Sequence, residues 1–456
     1  MMAPLLRPVR RVLAFAALAA VAAGSPADAQ QRQPLPPMPG ERDPLVDAAA
    51  DGVPPGFYVE PSITLGQYFD DNIFLSEDNP QSDTFLRVSP GVEAGYRSQR
   101  TLVTARYGLD GERYRRHDEL RDLTARQQAA FDISGFPSQR LLLSAGAGYY
   151  ETTTPSELNL TSGIVTGRAL AERLEARGLL HYRTSPNGRL RGEYLVARDR
   201  LEGDLNSITQ QATAEYRHQL TGRTFVSVDY VIRDFHFRNR SLRPSHVIAG
   251  GIGYRVSPSA VLFVRGGPRL FEEVIGPGVP VPQNPEDPTD PTAPPPTGGG
   301  PVPGERRIER TFTPEWSADF SSTLPRGTFD LSFGRTQTTA FGVPTIIDTI
   351  GVTASLLYHP ASRVDLRLSP GFYHDEIEDT LETRTFRAGA GLTVWITRHV
   401  AVDGQYVYSH QRGLPASLQT GLLRIRQSVA SIGLRLTARR RPDPPEPVTP
   451  HPQERR

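Results

Sequence analysis

Residues 383–413 alternate between apolar and polar side chains in two successive runs, and no other feature constrains the fold as strongly. In the first run every second residue is apolar: Phe386, Ala388, Ala390, Leu392, Val394 and Ile396. The second run begins after residues 396–399, with Val400, Val402, Tyr406 and Tyr408 on one face and Asp403 and Gln405 on the other. A period of two residues fits a β-strand and does not fit an amphipathic helix. The stretch therefore predicts an antiparallel hairpin with a short turn.

The same hairpin pattern recurs between residues 57 and 437. Short turns are indicated at residues 97–100, 136–140, 185–188, 220–223, 256–259, 324–327, 359–362 and 397–399. Between them lie longer polar connections, at residues 70–83, 115–122, 153–167, 199–207, 238–244, 275–307, 341–345, 376–382 and 412–421. Strict alternation of short and long connections is typical of a barrel with tight turns at one end and long loops at the other.

These intervals predict an all-β fold, a transmembrane antiparallel up-and-down β-barrel of about 16 to 18 strands. An even number of strands places both ends of the barrel domain, residues 57–437, at the short-turn side. The alternative is a secreted, soluble all-β protein, because alternation alone does not say which face meets water.

The segments outside the barrel have compositions of their own. Residues 1–29 resemble a secretory signal peptide, with basic Arg7, Arg10 and Arg11, an apolar core and a small-residue cleavage site before Gln30. Residues 30–56 predict a disordered, Pro-rich leader, and residues 438–456 a charged, disordered tail. Residues 275–307 predict a Pro- and Gly-rich extracellular loop. The expected location is the outer membrane of a Gram-negative cell.

Composition argues against several other classes of function. The chain contains no Cys, so disulfides, thiolate metal sites and a lipid-anchored Cys are excluded. With 51 basic and 50 acidic residues, the net charge of +1 favours neither nucleic acid nor anionic lipid as a partner. No run of 18 apolar residues follows the signal peptide, which argues against transmembrane helices.

Motifs for catalysis and cofactors are weak. Ser409 and His410 could form part of a catalytic triad only by chance, and neither G-x-S-x-G nor H-E-x-x-H occurs. We therefore expect no enzyme activity, no cofactor and no metal centre. A calcium site formed by Asp70, Asp71, Asn72 and the acidic residues up to Asp83 stays open, although turn chemistry explains these residues equally well.

The two faces of the predicted strands differ sharply in chemistry. The apolar faces, exemplified by Val103, Ala105, Tyr107 and Leu109, would meet lipid, and Gly146, Gly148, Gly389 and Gly391 on the other side would leave room for a lumen. Charge of both signs on that side argues against strong ion selectivity. The candidate lumen-lining residues are Arg106, Asp110, Glu112, Arg191, Glu193, Asp229, Arg233, Arg265, Arg269, Asp365, Arg367, Arg387, Asp403 and Gln405.

The first predicted hairpin carries a family resemblance. The run Asp70, Asp71, Asn72, Ile73 and Phe74, followed by residues 83–91, resembles the opening hairpin of the outer-membrane barrel family called β-barrel porin 2. The resemblance extends over most of the mature chain in pattern but only over this hairpin in recognisable letters. It implies a porin-like barrel associated with export of exopolysaccharide, and it implies no catalytic residues.

The sequence thus predicts a conduit for hydrophilic molecules, first of all in export or assembly of surface exopolysaccharide. The expected partners are outer-membrane lipid, polysaccharide and periplasmic export components. The alternatives are a general porin for small solutes and a purely structural barrel.

Overall fold

The computed structural model describes residue 53 and residues 55–438, except residues 121, 160, 203–204, 238–239, 242–243, 276–306, 378–380 and 414–423. Eighteen long strands in this part of the chain form one antiparallel sheet. They are β1 (Gly56–Asp70), β2 (Asp83–Arg97), β3 (Thr101–Tyr114), β4 (Asp122–Ser138), β5 (Leu141–Thr152), β6 (Ala171–Arg183), β7 (Gly188–Leu201), β8 (Leu205–Gln219), β9 (Thr224–Phe237), β10 (Ser245–Ser257), β11 (Ala260–Ile275), β12 (Arg307–Leu324), β13 (Gly327–Ala340), β14 (Val343–Ala361), β15 (Val364–Ile377), β16 (Leu381–Trp395), β17 (Val400–Arg412) and β18 (Arg424–Thr437). A two-residue strand, Arg240–Ser241, also pairs with β9.

The predicted signal peptide, nearly all of the leader, residues 276–306 of the Pro- and Gly-rich segment and residues 439–456 of the tail lie outside the described residues. Their predicted properties stay predictions.

The hairpin at residues 383–413 has the predicted form. β16 and β17 pair in antiparallel register from Arg384 opposite Arg412 to Trp395 opposite Ala401. Along β17, Ala401, Asp403 and Ser409 are buried, whereas Tyr406 is 46% exposed. The period of two therefore separates an inner face, which carries the polar residues, from an outer apolar face.

The sheet closes on itself. Each long strand pairs with the next, and β1 pairs with β18 from Ser62 opposite Thr437 to Asp70 opposite Val429. The eighteen-strand end of the predicted range is thus confirmed, and the barrel domain starts and ends at the same side. At that side Thr437 N donates to His399 O at 2.9 Å, in the short turn between β16 and β17.

The predicted strict alternation of connection length is wrong at one side of the barrel. β13 and β14 are joined by only Phe341 and Gly342, where a connection over residues 341–345 was expected. Residues 199–207 and 376–382 likewise prove to be mostly strand, since β7 continues to Leu201, β8 starts at Leu205 and β15 continues to Ile377. Polar residues at these positions mark strand ends that project beyond an apolar belt, and sequence patterns do not separate such ends from loops.

The outer face is apolar over most of the barrel. Exposed side chains on it include Val228 and Ile248, each 61% exposed, and Ile432, 62% exposed. Leu, Val, Phe and Tyr residues at the same face of other strands extend the belt, including Leu65, Val92, Leu143, Leu174, Tyr194, Leu262, Phe333, Phe372 and Leu392. A continuous apolar surface of this kind is stable only against a non-aqueous environment, so the barrel is built to sit in lipid.

Helical structure is minimal in the described residues. The only helices there are two short 3₁₀ turns, Asp118–Leu120 and Pro155–Glu157. None of these described helices has the length and apolar character needed to cross a membrane.

Candidate functional site

Ion pairs within and between strands cover one side of the inner face, from β2 to β8. Arg173 binds Asp199 with two N–H groups, each at 2.7 Å. Because each guanidinium faces a carboxylate, the charges on this side largely cancel. The other pairs here are Arg106 with Glu93, Arg87 with Glu112, Arg126 with Asp110, Arg177 with Asp132, Arg191 with Glu193 and Arg217 with Glu215.

The fourteen candidate lumen residues lie on the inner face of their strands, but the structure brings only some of them together. Arg191 contacts Glu193, and Arg233 and Arg269 both contact Glu315. Asp110 and Glu112 share Arg87 as a partner. Among the remaining candidates, Asp365 contacts His359 and Asp403 contacts Arg435. Asp229 accepts a hydrogen bond from Ser227, Arg265 donates to Ser317, and Arg387 donates to Ser156. In the described part of the chain, Arg367 and Gln405 form no side-chain hydrogen bond or ion pair.

A loop between β5 and β6 crosses the lumen. We call residues 153–170 the inner loop. Val165 N donates to Gln411 Oε1 at 2.7 Å, and Gln411 Nε2 donates to Val165 O at 3.1 Å. Arg387 Nη1 donates to Ser156 O at 3.1 Å. These wall residues lie on β17 and β16, far around the ring from β5 and β6, so the loop reaches the opposite wall through the interior.

The inner loop is packed as tightly as a protein core. Ser162 and Ile164 are fully buried and Val165 is 1% exposed. Val165 packs with Leu75 of the loop between β1 and β2 and with Ile425 of β18. Arg126 of the wall also binds Glu157 at 2.9 Å. The loop is therefore a fixed part of the barrel mouth.

A second segment enters the mouth from the other side. We call residues 336–347, the upper ends of β13 and β14, the inner hairpin. Its Ile346 packs against the pair of Phe235 and Phe237 on the inner wall, as does Phe271. Its Phe341 packs against Ala171 and Leu201, on β6 and β7. Since β6 and β7 lie across the ring from β14, the hairpin has folded inward over the lumen.

The inner hairpin leaves the wall where the β12–β13 pairing ends. That pairing stops at Trp316 opposite Arg335, whereas β12 continues to pair with β11 up to Arg307 opposite Ile275. Pro314 stands opposite Pro268 of β11. Because neither proline has an N–H, the two residues do not hydrogen-bond to each other. The backbone groups of residue 314 therefore point away from β11, and an N–H at this position would face β13. The missing donor at Pro314 ends the pairing at that point.

A chain of alternating charges joins the base of the inner hairpin, at Arg335 and Asp348, to the wall. Arg233 holds Glu315 through two bonds of 2.7 and 2.8 Å, and Arg269 lies 3.7 Å from the same carboxylate. Arg269 Nη2 then binds Asp348 Oδ2 of β14 at 2.7 Å, and Arg335 approaches Asp348 at 3.2 Å. The side chain of Arg269 is only 2% exposed, so its charge depends on these partners.

The family-like run at residues 70–74 serves to close the barrel. Asp71 Oδ1 accepts a hydrogen bond from Ser428 N at 2.6 Å, and Asn72 Nδ2 donates to Arg426 O at 3.0 Å. Asp70 Oδ2 accepts from Gln427 Nε2 at 2.8 Å. The run thus fastens the end of β1 to β18, while Ile73 packs with Phe85 and Tyr114 beneath it and Phe74 contacts His117 edge-on.

The described residues do not form the catalytic triad or the calcium site that the sequence analysis considered. Ser409 and His410 point to opposite faces of β17, as their alternation requires. Asp83 is occupied by the N–H groups of Arg116 and His117 and by the ring of His117. No group of three or more His, Cys, Asp or Glu side chains in the described ranges has the geometry of a metal site.

Sequence reasoning missed the aromatic residues of the inner face. Tyr68 stacks on Phe85 at 5.1 Å, Phe85 stacks on Tyr114 at 4.6 Å, and Arg87 lies 4.5 Å from the Tyr68 ring. Phe225 and Phe263 form another inward pair at 5.6 Å. Their positions in the sequence could have identified them. Each aromatic residue lies an even number of positions from a charged residue on its strand, as Phe85 does from Arg87, and therefore on the same face.

Comparisons with known proteins give low similarities. No family model matches the sequence. No curated protein matches it either. The chain is similar to the solved structure of OpdO from Pseudomonas aeruginosa, with a TM-score of 0.42, 11% identity and coverage of 83% of this chain and 96% of that one. It is similar to the outer-membrane protein OpdK from the same organism, with a TM-score of 0.40, 11% identity and coverage of 83% and 99%.

A third similar structure is OmpT, an outer-membrane protein of Vibrio cholerae, with a TM-score of 0.34, 10% identity and coverage of 84% and 97%. Values this low assign neither a family nor a function to this chain.

Proposed function

We propose that this protein is an outer-membrane channel for small hydrophilic solutes. The observation that carries the proposal is the combination of a closed barrel, an apolar outer belt and an inner face of charged and hydroxyl side chains. In lipid, an inner face of this kind is stable when it is wetted or paired, and a wetted interior is a passage for polar molecules. The N-terminal signal predicted from the sequence is consistent with this location.

The mouth favours small solutes over polymers. The inner loop and the inner hairpin both cross the lumen, and Asn159 of the loop accepts a hydrogen bond from Phe341 N of the hairpin at 2.8 Å. A polysaccharide chain would need a wide, unobstructed cross-section, and two interlocked segments reduce it. The small-solute porin, an alternative at the level of sequence, is therefore the function we put forward, and exopolysaccharide export gains no support from the structure or the comparisons.

Uptake by proteoliposomes tests this proposal. Vesicles containing the purified barrel should swell in arabinose and fail to swell in the tetrasaccharide stachyose. A variant in which residues 154–169 are replaced by a short Gly-Ser linker should also admit stachyose, because the loop no longer crosses the lumen. Heat-dependent migration on a gel verifies that both proteins are folded barrels.

Two results would contradict the proposal. Folded wild-type barrel that admits no sugar would rule out a passive channel. Loss of surface polysaccharide from a deletion strain, with unchanged sugar uptake, would favour export instead.

A further inference from the structure

We propose that Arg367 and Arg387 form a track that favours small oxyanions, carboxylates or phosphates, over cations. This inference rests on the proposed channel function and names its substrate class. It also revises the expectation that mixed charge in the lumen prevents selectivity, because most of that charge is internally paired.

The two arginines lie on adjoining strands of the inner face. Arg367 of β15 stands opposite Gly391 of β16, and Arg387 of β16 stands opposite Gly371 of β15. Both side chains are partly exposed. As they point inward, the surface that they expose belongs to the lumen and not to the lipid side.

No carboxylate in the described part of the chain forms an ion pair with these two residues. Glu157 lies within the electrostatic reach of Arg387, but it is bound by Arg126 at 2.9 Å. In the described ranges neither arginine has an acidic group within ion-pair distance, and the hydrogen bond found for Arg387 goes to a neutral carbonyl, Ser156 O. Arg173, on the far wall, instead holds Asp199 at 2.7 Å with two N–H groups. An arginine without a paired carboxylate keeps its attraction for anions from solution.

The acidic groups nearest in the sheet are engaged elsewhere. Asp365 accepts hydrogen bonds from the ring of His359 and from Trp395 Nε1. Asp403 of β17 accepts from Arg435 Nε at 2.8 Å. Asp375, higher on β15, is fully buried and bound to Thr349, so it does not face the water path.

The wall around the two arginines is built from small, neutral residues. Ser369 lies between them on β15, and a Cβ at the opposite Gly389 would come within 2.6 Å of Ser369 Oγ. Glycine at 389 therefore leaves the hydroxyl in place beside the lumen. The result is an Arg, Ser, Arg sequence of anion-binding groups with room next to it.

Spacing determines how the track would work. Arg367 and the Gly371 position that faces Arg387 are four residues apart, or about 13 Å along a strand. One carboxylate cannot bridge that distance, so an anion would pass from one guanidinium to the next. Sites that bind moderately and lie in series favour conduction over trapping.

The charges elsewhere in the lumen do not reverse this balance. On the β9–β12 side, Asp229 and Asp319 both lie within the electrostatic reach of Arg265. Together with Arg233, Arg269 and Glu315, these residues make three arginines against three carboxylates. On the inner face of β15 and β16, Arg367 and Arg387 stand against one partly exposed carboxylate, Asp365, so this sector has one arginine in excess.

Planar-bilayer recordings of the full-length mature protein test the proposal. In a KCl gradient the wild type should show a reversal potential of the sign for chloride preference, and it should conduct in potassium acetate. Arg367→Gln and Arg387→Gln should each lower the anion-to-cation permeability ratio about fourfold, the size of a unit-charge interaction across about 5 Å of water. Arg367→Lys and Arg387→Lys should keep the wild-type sign.

A matched control separates the track from general lumen charge. The double variant Arg191→Gln with Glu193→Gln removes a compensated pair from the same inner face, and it should leave the reversal potential unchanged. Folded, conducting glutamine variants of Arg367 and Arg387 with the wild-type reversal potential would overturn the track while leaving the channel intact. Wild-type barrel that folds and does not conduct would overturn both the track and the channel.

Discussion

The inner loop and the inner hairpin occupy the same mouth but are held there by different forces. The loop is bound near its start by the ion pair of Arg126 with Glu157, but its buried part at Val165 is held by two neutral amide hydrogen bonds to Gln411. The hairpin is held by Ile346 and, at its base, by the ion pair of buried Arg269 with Asp348, which is 20% exposed. Removing one member of an ion pair leaves a buried charge, whereas removing an amide leaves an unpaired neutral group. The hairpin should therefore be the more sensitive of the two to substitution.

The largest loss of stability is expected from breaking the ion pair between Arg269 and Asp348. Asp348→Leu removes the 2.7 Å partner of Arg269, whose side chain is 2% exposed, and should lower the free energy of unfolding by about 3–5 kcal/mol. Urea unfolding of the barrel in lipid vesicles measures the change.

Two further variants sharpen this measurement. Arg269→Met combined with Asp348→Leu should recover most of the loss, because no unpaired charge remains. Glu376→Leu removes a carboxylate that is 38% exposed and should cost less than about 1 kcal/mol. Equal losses for Asp348→Leu and Glu376→Leu would show that burial of the charge does not matter.

A smaller, local loss of stability is expected from removing the hydrogen bonds between Gln411 and Val165. Gln411→Ala leaves Val165 N and O without their partners and should destabilise the inner loop by about 2 kcal/mol. Hydrogen exchange at the Val165 amide should then accelerate about 30-fold. Gln405→Ala provides the control, since Gln405 is an exposed glutamine on the same face of β17. Unchanged exchange in Gln411→Ala would show that the loop is held by packing alone.

The smallest effect is expected where the hairpin leaves the wall. Pro314→Thr restores an N–H directed at β13 and should extend the β12–β13 pairing by one hydrogen bond, a gain of about 1 kcal/mol. Hydrogen exchange at residues 336–338 should slow accordingly. Pro268→Thr, at the opposite proline of β11, should not slow it. Slower exchange in both variants, or in neither, would show that Pro314 does not set the end of the pairing.

Several features of the molecule are determined by sequence alone. Alternation of residues such as Val402, Asp403 and Tyr406 defines two faces, because successive side chains in a strand point in opposite directions. The turn signals then limit the number of strands to about 16 to 18, a range that contains the eighteen long strands of the closed sheet. Those are local properties, and local patterns are sufficient for them.

The tertiary structure decided everything that depends on distance across the ring. Nothing in the residues around Val165 indicates that its partner is Gln411, 246 positions away. The alternation of the sequence assigned both Arg191 and Arg387 to the inner face. Only Arg191 forms an ion pair with a carboxylate, because the tertiary structure determines which side chains are neighbours. The inward fold of residues 336–347 likewise depends on a wall that ends at Pro314 and on Arg269 of another strand. Sequence assigned each residue to a face, and only the closed barrel assigned it a partner.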